Sequence, residues 1–156
     1  MLIDFKKKKE LAFEGARLSS VLFTLLIFGF FISMALLGIH ELSHSYTARF
    51  FGCENVFISF DIIEDFVFTN IDCPNDVNLF YIEIVGLVST IVASFAFLLS
   101  SNASEKKLWV LSLGISVLLA LSDIQAIFGD FVFFFSFFVG LILLLFGIVH
   151  FFEAHF

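Results

Sequence analysis

Apolar positions in this chain do not alternate with polar ones but gather into four long blocks, at about 17–51, 79–100, 108–128 and 131–152. A helix crosses the roughly 30 Å hydrocarbon core of a bilayer with about 20 residues, so each block is long enough to span it. The last two blocks cover 45 residues from Leu108 to Phe152, which would extend about 67 Å as one straight helix. The chain must therefore turn within them, and the polar group Ser122, Asp123, Gln125, Gly129 and Asp130 marks the turn.

Between the first two blocks the pattern changes. Val56, Ile58 and Phe60, followed by Phe66, Phe68 and the run to Ile71, bracket Glu64-Asp65 and predict a β-hairpin over about 54–75. Such a hairpin either caps a polar site against lipid or offers an open strand edge to an extended substrate segment. There is no repeat and no Pro- or Ser-rich linker. The expected fold is one domain over 1–156, an all-α polytopic membrane protein with about four transmembrane helices and a small β-hairpin between the first and second. A cleaved secretory signal is not expected, because the first apolar run exceeds the usual span of about 7–15 residues.

Composition supports lipid as the solvent. The residues are 60% hydrophobic and 15% charged, against about 25% charged in soluble domains. The 26 phenylalanines run through every apolar block without heptad order and read as lipid-facing. A net charge of -7 excludes nucleic acid as a partner, since phosphate binding needs clustered Lys and Arg and the one lysine run, Lys6 to Lys9, adjoins a span. Those lysines, Arg17, Lys106 and Lys107 fall on one side of the predicted membrane, with Arg49 alone on the other. The positive-inside rule places the first side in the cytoplasm and His40 nearer the outer face of what is expected to be the cell membrane. Cys53 and Cys73 are too few for a disulfide framework and too isolated for a zinc ribbon, and read as inert or as one bridge.

The chemistry is concentrated in Gly38-Ile39-His40-Glu41-Leu42-Ser43-His44-Ser45, at the end of the first block. Residues four apart share a helix face, so His40 and His44 can aim a ring nitrogen at one ion while Glu41, one step round, serves as general base. With 4 His in the chain, chance produces this spacing with a probability of roughly half a percent. Ionisable residues inside a span are expensive and persist where they act. The pattern therefore predicts one Zn2+ per chain.

Catalytic zinc takes three protein ligands, so a third is required. Asp130 stands 23 residues after Lys107, as His40 stands 23 after Arg17, and two helices starting at one face would bring both to similar depth. Asp130 is the first choice. Asp123, two helical turns earlier, is the alternative ligand or an acceptor behind a ligand. Either aspartate also suits a helix N-cap. His150 and His155 fall near the opposite face, and Glu83 at the start of the second span is expected to be solvated or to snorkel.

The stretch from His40 to Gly52 resembles the HELGHALAARLFG run of the site-2 protease family of intramembrane zinc metalloproteases. In that family an Asn-x7-Asp-Gly motif at a membrane-embedded turn supplies the third ligand. Ser122 and Asp130 reproduce its eight-residue step, with serine in place of asparagine and Gly129-Asp130 in reversed order. Gly86-Leu87-Val88-Ser89-Thr90 is the counterpart of the family's Gly-Pro-x-x-Asn. The resemblance implies peptide-bond hydrolysis of membrane-protein substrates within or beside the bilayer, reached from the cytosolic side. Zinc would polarise the scissile carbonyl, and Glu41 would take a proton from water and pass it to the leaving amine. The rival readings are a metal transporter and a zinc-binding membrane protein without catalysis.

Overall fold

A computed structural model describes residues 2–59, 68–75, 77–102 and 106–153, with side chains from Glu14 onward apart from Phe68. Phe60, Glu64-Asp65, Phe66, His155 and the side chains of Lys6 to Lys9 lie outside the described residues.

Helix α1 (Leu2–Phe50) is continuous over 49 residues, and its Glu14–Phe50 portion is long and apolar enough to cross a membrane. Ile32, Leu36, His40, His44 and Ala48 are all buried. They recur every fourth residue, so the two histidines extend the apolar stripe that packs into the bundle. Just beyond the end of the helix, Gly52 has a φ of +82°, which suits a residue without a Cβ. There the Gly52 N–H donates to Arg49 O and the Cys53 N–H to Ala48 O, each at 3.0 Å.

Strands β1 (Glu54–Ser59) and β2 (Phe68–Asp72) pair antiparallel, with Phe57 opposite Asn70 and Ile58 opposite Thr69. The register shifts between Glu54 and Phe57, where Asn55 takes a φ of +51° and absorbs a bulge. A Cys53–Cys73 disulfide ties the base of the hairpin. Cys53 and Val56 pack with Ala48 of α1 and Ile82 of the next helix, and Ile71 and Val77 close over them. The small sheet is thereby fastened to the helices beneath it.

Helix α2 (Leu79–Phe95) begins where Asn78 Oδ1 accepts the Phe80 N–H at 3.1 Å, and a 3-10 turn (Ala96–Leu99) prolongs it. Helices α3 (Leu108–Leu119) and α4 (Leu121–Phe128) meet at Ala120 with a bend of 52°. Helix α5 (Asp130–Glu153) follows after Gly129 alone. Gly129 has φ +79° and ψ -179°, a region essentially confined to glycine, so the chain reverses within one residue. Among the described residues three helices are long and apolar enough to cross a membrane, or four if the bent pair α3–α4 counts as one span. The third predicted block is thus two helices rather than one.

Large apolar side chains face outward. Phe23, Leu26 and Phe31 on α1 and Phe131, Phe135 and Ile142 on α5 are each more than 60% exposed, a surface compatible with lipid. Small and hydroxyl-bearing residues set the contacts between the helices. Thr90 and Ser94 of α2 and Ser112 and Ser116 of α3 are fully buried between the two helices, with the Ser94 and Ser116 hydroxyls 3.0 Å apart. Glycines do the same work between α3 and α5. A Cβ on Gly147 would lie 2.6 Å from Leu111 N, and one on Gly114 would lie 2.6 Å from Leu144 N.

Gly29 on α1, by contrast, has nothing within 4 Å of a built Cβ. Gly147→Ala should therefore destabilise the protein by about 1–3 kcal/mol, read as a fall in the thermal midpoint in detergent. Gly29→Ala makes the same change in helix propensity without the clash and should leave the midpoint level or raise it. Equal responses would show that the α3–α5 contact is not set by glycine.

Candidate metal centre

The site begins with the spacing of His40 and His44 on the buried stripe of α1. His44 Nδ1 lies 2.6 Å from the Ile82 carbonyl oxygen on α2. A carbonyl only accepts, so Nδ1 donates its proton there and Nε2 of the neutral ring presents a lone pair to the interior. Gly86, one turn along the same face of α2, makes this approach available. A Cβ at that position would fall 2.4 Å from His44 Nε2 and 2.6 Å from His40 Cε1.

The third group comes from α4. Asp123 Oδ2 lies 3.0 Å from His40 Nε2 and 3.2 Å from His44 Nε2, and the two Nε2 atoms are 3.1 Å apart. With His44 Nδ1 as the donor to Ile82, His44 Nε2 and Asp123 Oδ2 both present lone pairs beside His40 Nε2. Ligand atoms bound tetrahedrally at about 2.0–2.1 Å stand about 3.3 Å apart, which the observed triangle approaches within a few tenths of an ångström. His40, His44 and Asp123 form the group that could hold a metal ion among the described residues. His40 Nδ1 is buried without a hydrogen-bond partner.

Glu41 lies beside this triangle and is itself 6% exposed. Thr69 of β2 donates its hydroxyl to Glu41 Oε2 at 2.7 Å, with the Glu41 backbone carbonyl at 3.1 Å. The hairpin therefore reaches into the site rather than only covering it. His40, Glu41, His44, Thr69, Glu83, Ser122 and Asp123 all line a cavity of about 630 Å³. Its chemistry is a cluster of two imidazoles and a carboxylate, with a second buried carboxylate held at its edge.

Asp130, the first choice for third ligand by depth, is not in this group. It is exposed at the start of α5, where its Oδ1 accepts from Gln125 Nε2 at 2.9 Å. Counting at a constant rise from Lys107 fails because the helix breaks at Ala120. Helix α4, set at 52° to α3, carries Asp123 beside the histidines, while Asp130 falls beyond the reversal at Gly129. Glu83, expected to be solvated or to snorkel, is half-buried in the cavity wall. His150 stands near the far end of α5, 3.3 Å from Glu153. Thr69 carried no sequence signal, because a β-branched residue in a strand is ordinary and nothing local ties it to a glutamate 28 residues away. Gly86 was visible only through the resemblance.

No protein-family model, curated protein or solved structure matches the chain.

The two aspartates make opposite predictions. Asp123→Ala should lower metal affinity by more than the roughly 10–100-fold that loss of a partner behind a ligand causes. Asp130→Ala should leave metal content unchanged. Metal analysis of the purified proteins decides the matter, and retention of metal by the Asp123 variant would remove that residue from the ligand set.

Proposed function

We propose that the chain is an intramembrane zinc-dependent endopeptidase of the site-2 protease type, embedded in the cell membrane and hydrolysing peptide bonds of membrane-protein substrates. The observation that carries this reading is the convergence of His40 Nε2, His44 Nε2 and Asp123 Oδ2 within 3.2 Å, in a cavity that Glu41 also lines. The resemblance of the His40–Gly52 stretch to that family supports it. Two imidazoles and one carboxylate are a zinc-type donor set, which in catalytic sites would leave room for water as a fourth ligand.

His40, His44 and Asp123 would hold the zinc, which when bound polarises a carbonyl and makes nearby water acidic enough to attack near neutral pH. The chain's own residues supply the rest. The bond from His44 Nδ1 to Ile82 O locks that ring with Nε2 inward. Glu41 accepts a proton from the attacking water and delivers it to the leaving nitrogen, as general base and then general acid. Thr69 holds Oε2, which leaves Oε1 to exchange the proton without the carboxylate rotating away. A transmembrane helix hides its carbonyls in hydrogen bonds, so a substrate segment must unwind before it fits this cavity.

Glu41→Gln should keep zinc bound and reduce cleavage of a transmembrane substrate by about 10²–10⁴-fold. Retained cleavage would remove Glu41 from its role. A wild-type protein that binds zinc yet cleaves no such substrate would be a zinc-binding membrane protein instead, and zinc flux into proteoliposomes would mark a transporter.

Thr69→Val should lower kcat by about tenfold, the value of one hydrogen bond of about 1.4 kcal/mol, with zinc stoichiometry unchanged. Thr69→Ser retains the hydroxyl and should restore the rate. Equal activity of the Val and Ser variants would show that the hydroxyl does not position Glu41.

A further inference from the structure

The described residues carry two signs of orientation that do not depend on catalysis. The first is the end of the bundle at which the site lies. His40 stands 23 residues, about 34 Å of helix, beyond Arg17, but only nine residues, about 14 Å, before Arg49. Phe51 stacks on Tyr81 at 6.0 Å and Phe80 meets Phe128 at 6.5 Å, which gathers the end of α1, the start of α2 and the end of α4 beneath the hairpin. At the opposite end Val21, Leu108 and Phe151 share one apolar cluster, which sets Lys106 and Lys107 on the same side as Arg17. Seven of the eight Lys and Arg residues thus belong to the end remote from the site. The eighth, Arg49, donates from Nη2 to the Val56 carbonyl of the hairpin at 3.2 Å.

The second sign is the disulfide. Cys53 and Cys73 close the base of the same hairpin that carries Thr69 to Glu41. They are the only cysteines in the chain. Disulfides persist in oxidising compartments and are rare where glutathione and thioredoxin keep thiols reduced. The charge asymmetry gives the same orientation through a separate mechanism, since basic residues near spans are retained in the cytoplasm during insertion.

We infer that the hairpin end faces the oxidising, extracytoplasmic compartment and that the site takes its peptide from that side of the membrane. The substrate half of this inference rests on the proteolytic reading; the orientation does not. The substrates are then membrane-anchored chains whose scissile segment lies toward the extracytoplasmic end of a span or just outside it. A partly unwound segment there reaches the cavity without crossing the full apolar depth. This orientation is opposite to the cytosolic approach that the family resemblance implies.

The test uses the full chain in right-side-out and inverted membrane vesicles. Without reductant a membrane-impermeant maleimide should label Cys53 and Cys73 in neither. After treatment with a membrane-impermeant phosphine, both should label in right-side-out vesicles, and in inverted vesicles only after permeabilisation. Lys106→Cys, with the natural pair left oxidised, should instead label in inverted vesicles alone. Labelling of the reduced pair from the inverted side, or free thiols before reduction, would overturn the inference. No cleavage enters these measurements. A chain that labels from outside but binds no zinc and cuts nothing keeps the orientation and loses the protease, whereas one that cuts but labels from inside does the reverse.

Discussion

Everything at the centre depends on how closely α2 can approach the histidine face of α1. Gly86 leaves no room for even one methyl group before the imidazoles intervene. That proximity lets His44 donate to the Ile82 carbonyl, and the bond decides which ring nitrogen faces the cavity. A larger residue at Gly86 would push the helices apart or turn the rings, and either change separates the nitrogens from Asp123. Small residues elsewhere serve the same end. The serine seam between α2 and α3 and the glycine contacts between α3 and α5 hold neighbouring backbones at a fixed distance, so the triangle of donor atoms inherits the precision of helix packing.

The bend at Ala120 is the second constraint. Broken by 52°, the chain brings a short polar helix to the site and returns at once through Gly129. Ser122 and Asp123 of that short helix line the cavity, whereas Gln125 is exposed and donates to Asp130.

The hairpin links the site to its surroundings. Its base is closed by Cys53–Cys73, its underside packs on Ala48 and Ile82, and its second strand delivers the Thr69 hydroxyl to Glu41. Any motion of β2 is therefore felt at Glu41. A sheet this small is marginal alone, so the disulfide and the apolar contacts with α1 and α2 are what keep Thr69 in place.

Much was legible in the order of residues. The apolar blocks located α1, α2 and α5, the 54–75 segment read as paired strands, and the His40-Glu41-x-x-His44 spacing located two imidazoles and a carboxylate on neighbouring faces of one helix. These features are local, because helical and strand periodicity and the reach of residues four apart follow from backbone geometry alone. The partner from the distant stretch was not local. Asp123 and Asp130 are the same residue type, seven positions apart, and a straight-helix count favoured Asp130. Only the packed structure, with its break at Ala120 and reversal at Gly129, brings Asp123 rather than Asp130 to the rings. Thr69 and Glu83 were beyond reach for the same reason. Which side chains meet across 28 or 79 residues is decided by how helices dock, not by the pattern along any one of them.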